Sequence, residues 1–207
     1  MTIVSRSLGP LLGFLLFSAI AAPAAAETVI SKSISYFTIT GSTAEELDAA
    51  LNRHGPLGKS TGTRHPGITR IKFGGAVTYL EQDGRCSVSA AKVTLSTQLV
   101  LPRWKYRKKA SKQLSMIWDT LAADIKRHEE RHAEIARSHA RDMEQRFLAV
   151  RSNRSCAVVQ AAVAAASQAA IEDHNRDQAR FDRNEAASFE TRMRRLLNFR
   201  LKSQSAR

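Results

Sequence analysis

The run His128-Glu129-Glu130-Arg131-His132 has the pattern H-E-x-x-H. Histidines at this spacing lie one turn apart on one helix face, so both imidazoles can reach a single tetrahedral Zn²⁺. A glutamate beside the first histidine is placed to take a proton from water at such a metal. His128 and His132 are therefore the expected metal ligands and Glu129 the expected catalytic base. The plain alternative is a solvated, charged helix face. Glu130 and Arg131 point away from the pair and read as solvated.

From Ser111 to Val150 there is neither Gly nor Pro, and Leu114, Ile117, Trp118, Leu121, Ile125, Ile135 and Met143 recur at helical spacing. That stripe predicts His128 and His132 at its centre and Glu129 at its edge. Two inward histidines need partners, and a shared metal satisfies both. After a polar break at Ser152–Ser155, an Ala-rich second helix begins at Cys156 and reaches Phe181 or beyond. The break predicts that the two helices pack antiparallel.

A catalytic zinc usually has three protein ligands plus water. Counting equal distances from the break puts Arg176–Arg180 opposite His128–His132. On the second helix Cys156, Val163, Ala170, His174, Phe181 and Glu185 share a face. His174 is thus the expected third ligand, with Asp182 and Glu185 as carboxylate rivals and a plain core histidine as the bland reading. His139 shares the first stripe but lies roughly 10 Å beyond His132 along an unbroken helix. It reads as a core or outer-shell residue.

Ahead of these helices, Thr28–Thr40 reads as a strand, and Ser42-Thr43-Ala44-Glu45 as a capping box for a helix carrying Leu47 and Leu51. Gly55-Pro56 stops that helix, and Leu57–Gly67 is loop. Ile68–Leu80 and Cys86–Leu101 read as strands joined at Asp83-Gly84, with Val93, Leu95, Thr97 and Leu99 on a buried face and Pro102 as the end. The basic run Lys105–Lys109 leads into the long helix. The predicted class is α+β: a small antiparallel sheet with one short helix, then two long antiparallel helices carrying the site.

The chain has 207 residues, 43% of them hydrophobic, with five prolines and ten glycines, which excludes a collagen-like or wholly disordered chain. Residues 1–26 read as a signal peptide: Arg6, the apolar run Leu8–Ala22, and Ala24-Ala25-Ala26 before Glu27. The run is short for a membrane span and is interrupted by Gly9, Pro10 and Gly13. No later segment is apolar enough to cross a bilayer, so an integral membrane protein is not expected. Residues 27–190 form the expected domain and 191–207 a basic tail that frays. In an oxidising compartment Cys86 and Cys156 are expected to pair. The net charge of +13 comes without an aromatic-interleaved patch or a nucleic-acid motif. An anionic envelope surface suits it better, with Arg192-Met193-Arg194-Arg195-Leu196-Leu197 as an amphipathic candidate.

Taken together, Gly41-Ser42-Thr43 with Glu46-Leu47, Gly55-Pro56, Cys86 before a β run, Leu101-Pro102-Arg103-Trp104, His128-Glu129-Glu130-x-His132 and Cys156 resemble a bacterial family of unknown function. That family is usually described as predicted secreted zinc-dependent proteases. The resemblance covers most of the chain after the leader. It differs in one place: Phe181-Asp182 stands where the family closes its second helix with Tyr-Asp, but Arg183–Phe189 has no counterpart to the Thr-x-His-Gly element that follows there. The resulting expectation is an exported, periplasmic or secreted zinc-dependent hydrolase, most naturally a metallopeptidase acting on a protein or peptide. The competing expectation is a non-catalytic envelope protein whose metal or polar cluster ties the two long helices together.

Overall fold

A computed structural model describes residues 25–58, 62–152 and 155–205. All but the last two residues of the expected leader lie outside them. Strands β1 (Ala25–Ile39), β2 (Ile68–Gln82) and β3 (Arg85–Trp104) form a sheet in the order β1-β3-β2, and the two-residue β4 (Arg151–Ser152) pairs with the start of β3. The helices are α1 (Ala44–His54), α2 (Lys112–Ala149) and α3 (Cys156–Ser205).

The sheet is mixed rather than antiparallel. β2 and β3 form the expected hairpin, turning at Asp83 and Gly84 with φ of 52° and 70°. Asp-Gly tolerates this left-handed pair, and the resulting turn matches the twist of the strands. β1, however, pairs with β3 in parallel, Thr28 opposite Val93 and Ile39 opposite Trp104. The connection through α1 and the following loop crosses β3 at the sheet end where β1 finished; β2 then runs back antiparallel, and β3 returns between the two as the central strand. β3 also runs through Pro102 to Trp104. Pairing with β2 ends at Val100, so Pro102 has a strand on one side only, where a missing donor is tolerated.

Helix α1 opens one residue later than expected. Thr43 is the cap, its hydroxyl accepting from the Glu46 N–H at 3.2 Å, while the Glu46 carboxylate accepts from the Ser42 N–H at 2.6 Å. Leu47, Ala50 and Leu51 then bury with Ile39, Trp104 and Trp118 at one end of the sheet.

The inward residues of β3, Val93, Leu95, Thr97 and Leu99, are all buried as expected. Above them α2 lays down Ile125, Glu129, Ala133, Ala136, Ala140, Met143 and Phe147. The three alanines let the helix sit close to the strands, and a second helix fits beside it. α3 contributes Val159, Val163, Ala170 and His174 to the same buried layer. The Cys86–Cys156 disulfide joins the start of β3 to the first residue of α3. α3 is unbroken to Ser205, so the segment from Arg192 expected to fray is helical. No helix among the described residues is long and apolar enough to cross a membrane.

Candidate metal centre

The two histidines of the pentapeptide meet as the spacing requires. His128 Nε2 and His132 Nε2 are 2.9 Å apart, with the rings edge to face. Asp182 of α3 brings Oδ1 to 3.3 Å from His128 Nε2 and 3.0 Å from His132 Nε2. One donor atom from each of the three residues lies within 4.8 Å of the others. Two nitrogens on a tetrahedral Zn²⁺ at 2.0–2.1 Å would be roughly 3.3 Å apart, so a shift of a few tenths of an ångström seats both on one ion. Two imidazole lone pairs facing each other repel unless a cation, proton or metal, lies between them.

The far sides of both rings are also occupied. His132 Nδ1 hydrogen-bonds Gln178 Oε1, and His128 Nδ1 faces Glu185 Oε2 at 3.7 Å. The acceptor on His132 Nδ1 is the kind of support found behind a metal-bound histidine. Phe181 walls the site, its ring stacked on His128 at 4.9 Å and edge-on to His132 at 5.1 Å. The donor set of two imidazoles and a carboxylate thus fits a divalent ion such as zinc.

The electrostatics couple Asp182 to the two imidazoles. Burial alone would raise the Asp182 carboxyl, but hydrogen bonds from the two imidazoles hold it far below its ordinary range. Burial would lower His132, yet the bonds to Asp182 and Gln178 outweigh it and favour the protonated ring.

His174 is not in the group. It lies deeper along α3, with Phe73 edge-on at 5.0 Å and His139 at 5.5 Å, and its Nε2 is 2.8 Å from the Gln178 amide nitrogen. Asp182 takes the position assigned to it. Side chains tilt toward the N-terminus of their own helix, so in an antiparallel pair the meeting residue comes from further along the partner than a count of backbone positions gives. Glu185, the other rival, stands behind His128, held by Arg127 and by Arg192. His139 bonds Asp177 at 3.0 Å, away from the trio.

Glu129 and the histidines exchange the places expected from the apolar stripe. Glu129 is 4% exposed and faces the sheet, whereas His128 and His132 are half-buried on the flank toward α3. The large residues alone set the expected stripe; the small Ala133, Ala136 and Ala140, which mark the true contact line, carried no weight. The Thr69 hydroxyl lies 2.8 Å from both the backbone oxygen and Oε2 of Glu129. Burial raises the proton affinity of this carboxyl, partly offset by Thr69. Glu130 pairs with Lys32 and Lys126, and Arg131 with Glu134. Arg192, expected on an amphipathic basic face, is turned inward onto Asp124.

Gln178, Phe181 and Thr69 were not anticipated as site residues. Gln178 stands midway between His174 and Asp182 on one helical face, a signal that the search for ligand types alone passes over.

Residues 34–189 match the model of a family described as a bacterial protein of unknown function (DUF922). No curated protein and no solved structure is matched.

Proposed function

The chain belongs to the DUF922 family, and we propose that His128, His132 and Asp182 form a zinc centre of an exported hydrolase, most naturally a metallopeptidase, with Glu129 as general base. The observation that supports this reading best is the convergence of two Nε2 atoms and Asp182 Oδ1 on one point, with an acceptor behind His132 at Nδ1. When bound, zinc supplies Lewis acidity toward a carbonyl and lowers the pKa of water toward about 7. The residues do the rest. Glu129, on the turn shared with His128, is a carboxyl of raised proton affinity, suited to hold a proton taken from water and return it to a leaving amine. The Asp182 side chain is 54% exposed, so a substrate can approach from the α3 side. The Cys86–Cys156 disulfide suits an oxidising compartment and supports export.

The competing reading, a structural tie between helices, draws on the same ligands, since α2 gives two and α3 one. A closed structural site normally takes four protein ligands, and among the described residues the group offers three.

The test is metal content and peptidase activity of the purified protein after the leader. Wild type should hold one zinc and cleave an unstructured protein substrate. His132→Ala should lose tight zinc, whereas Glu129→Gln should keep it and lose about two or more orders of magnitude in rate. Equal zinc in wild type and His132→Ala would refute the centre. Zinc in wild type without hydrolysis of any peptide or protein would leave the structural tie.

A further inference from the structure

Two basic segments that contain no acid, residues 103–118 and 191–205, stand far apart in the sequence. The antiparallel run of α2 and α3 brings them to one end of the molecule, and they meet at Asp119. Hydrogen bonds from Arg107 hold the Asp119 carboxyl below its ordinary range, and the charge of Arg200 on α3 adds to this. Around that contact the remaining cations face solvent. Lys105, Lys108, Lys109 and Lys112 are exposed on and beside the turn Arg107–Lys109, and among the described residues none of them forms an ion pair.

The last turns of α3 sort their residues by face. Arg192, Met193, Leu196, Leu197 and Arg200 are half-buried and form the inward side. Arg194, Arg195 and Lys202 are exposed, again without an ion pair among the described residues. Arg195, Phe199 and Lys202 recur at i, i+4 and i+7, so one outward stripe carries two cations with a ring between them. Phe199 is 69% exposed and Leu201 48%. A ring left in water adds nothing to the fold, whereas its transfer to an apolar layer is favourable. Helix α1 brings Glu45, Glu46 and Asp48 to the same end, but Glu46 caps its own helix and Asp48 bonds Asn52, so the excess of cations stands.

We propose that this end of the molecule, the turn at Arg107–Lys109 with the outward face of α3 from Arg194 to Lys202, docks on a bilayer of anionic phospholipid. Such a bilayer matches the surface at two depths: phosphate headgroups for the ammonium and guanidinium groups, and the acyl boundary for Phe199. Nucleic acid would meet the cations but finds Phe199 alone on the helix rather than a series of stacking rings. The contact replaces the face expected from Arg192–Leu197, whose apolar residues are turned inward. It goes beyond the hydrolase reading and does not draw on it, since Phe199 stands about 25 Å along α3 from Asp182.

The test is sedimentation of the purified protein after the leader with vesicles of phosphatidylcholine, either alone or carrying one-third phosphatidylglycerol. Binding should require the anionic lipid and weaken as salt rises from about 0.1 M to 1 M, where the Debye length shrinks from about 10 Å to 3 Å. Each cation near such a surface changes partitioning roughly fivefold, so Lys105→Gln/Lys108→Gln/Lys109→Gln should weaken binding about 100-fold. Phe199→Ser should weaken it about 10-fold. A second triple, Lys72→Gln/Arg85→Gln/Arg141→Gln, removes the same charge from exposed positions elsewhere and should bind within about threefold of wild type. Equal losses in the two triples would mean that net charge alone acts, and would overturn the surface. Binding indifferent to phosphatidylglycerol, no vesicle binding by wild type, or a Phe199→Ser variant that binds like wild type would overturn it too. Capture of a single-stranded oligonucleotide but not of vesicles, lost in the first triple, would overturn it in favour of nucleic acid.

Discussion

Arg192 reaches from α3 to Asp124 of α2 with two parallel hydrogen bonds, Nε to Oδ1 at 2.9 Å and Nη2 to Oδ2 at 3.1 Å. The two side chains are 13% and 5% exposed, and Arg127 holds the same carboxylate from its own helix. Arg192 also contacts Glu185, the carboxylate behind His128, at 3.1 Å. A planar fork on a nearly buried carboxylate is costly to break from one side, because the remaining charge is stranded. Arg192→Leu should therefore cost about 2–4 kcal/mol, somewhat tempered by Arg127, and lower the melting temperature by roughly 2–4 °C for each kcal/mol. A thermal melt of the two proteins checks this; a change within about 0.5 kcal/mol would mean that the pair behaves as an ordinary surface contact.

The same carboxylate sets a pH dependence. Burial pushes the Asp124 carboxyl up, but the guanidiniums of Arg192 and Arg127 outweigh it and hold it below its ordinary range. A depressed carboxylate contributes stability that is present above its unfolded pKa, about 3.9, and is lost as the pH falls toward the folded value. Unfolding free energy measured against pH should accordingly drop in wild type below about pH 4. The drop should be shallower in Asp124→Asn, and an identical acid limb would assign it to other groups, such as Asp119 beside Arg107.

Gly67 marks where the loop passes under α2. A Cβ there would stand 2.8 Å from Ile125 Cγ2 and 3.1 Å from Glu129 Oε1. Gly67→Ala should cost about 1–3 kcal/mol by overpacking and push Glu129 off Thr69. If Glu129 is the base, the turnover number should fall while zinc content stays unchanged. A variant as stable and as active as wild type would show that this contact relaxes freely.

The disulfide closes a loop with a sequence separation of 70 residues. In the chain-entropy model such a link contributes about 4 kcal/mol by restricting the unfolded chain. Cys86→Ala/Cys156→Ala should lower the unfolding free energy by about that amount and the denaturation midpoint with it, with the slope of the transition raised as the unfolded chain expands. Two titratable thiols in the oxidised, denatured protein would contradict the pairing itself.

Much of this was legible in the residues. H-E-x-x-H on a Gly- and Pro-free stretch, the polar break after it and the two cysteines were enough for the helix pair, the histidine pair and the disulfide. What escaped was relational. β1 alternates alike whether its neighbour runs parallel or antiparallel, so the direction of pairing left no trace in its own sequence. The inward position of Glu129 was hidden because alanines, not large apolar residues, mark where α2 touches the sheet. Asp182 rather than His174 meets the histidine pair because it lies about one turn beyond the counted position Gln178 and His174 one turn short of it; the tilt of side chains on both helices favours the farther residue, and a count of positions omits it.

α3 is tied down at two points independently of the histidines, covalently at Cys156 and by charge at Arg192. Between them the helix acts as a ruler. A single inserted residue advances a helix by 1.5 Å and turns it by about 100°, whereas ligand distances at a metal tolerate only about 0.2 Å. The placement of Gln178, Asp182 and Glu185 is therefore measured from the disulfide and the arginine clamp, before any ion is held. An insertion anywhere from Ala157 to Asp182 would carry the carboxylate away from His128 and His132, while the same insertion beyond Arg192 would leave the trio in place. Length between two fixed points, rather than any one contact at the centre, is what keeps these three donors together.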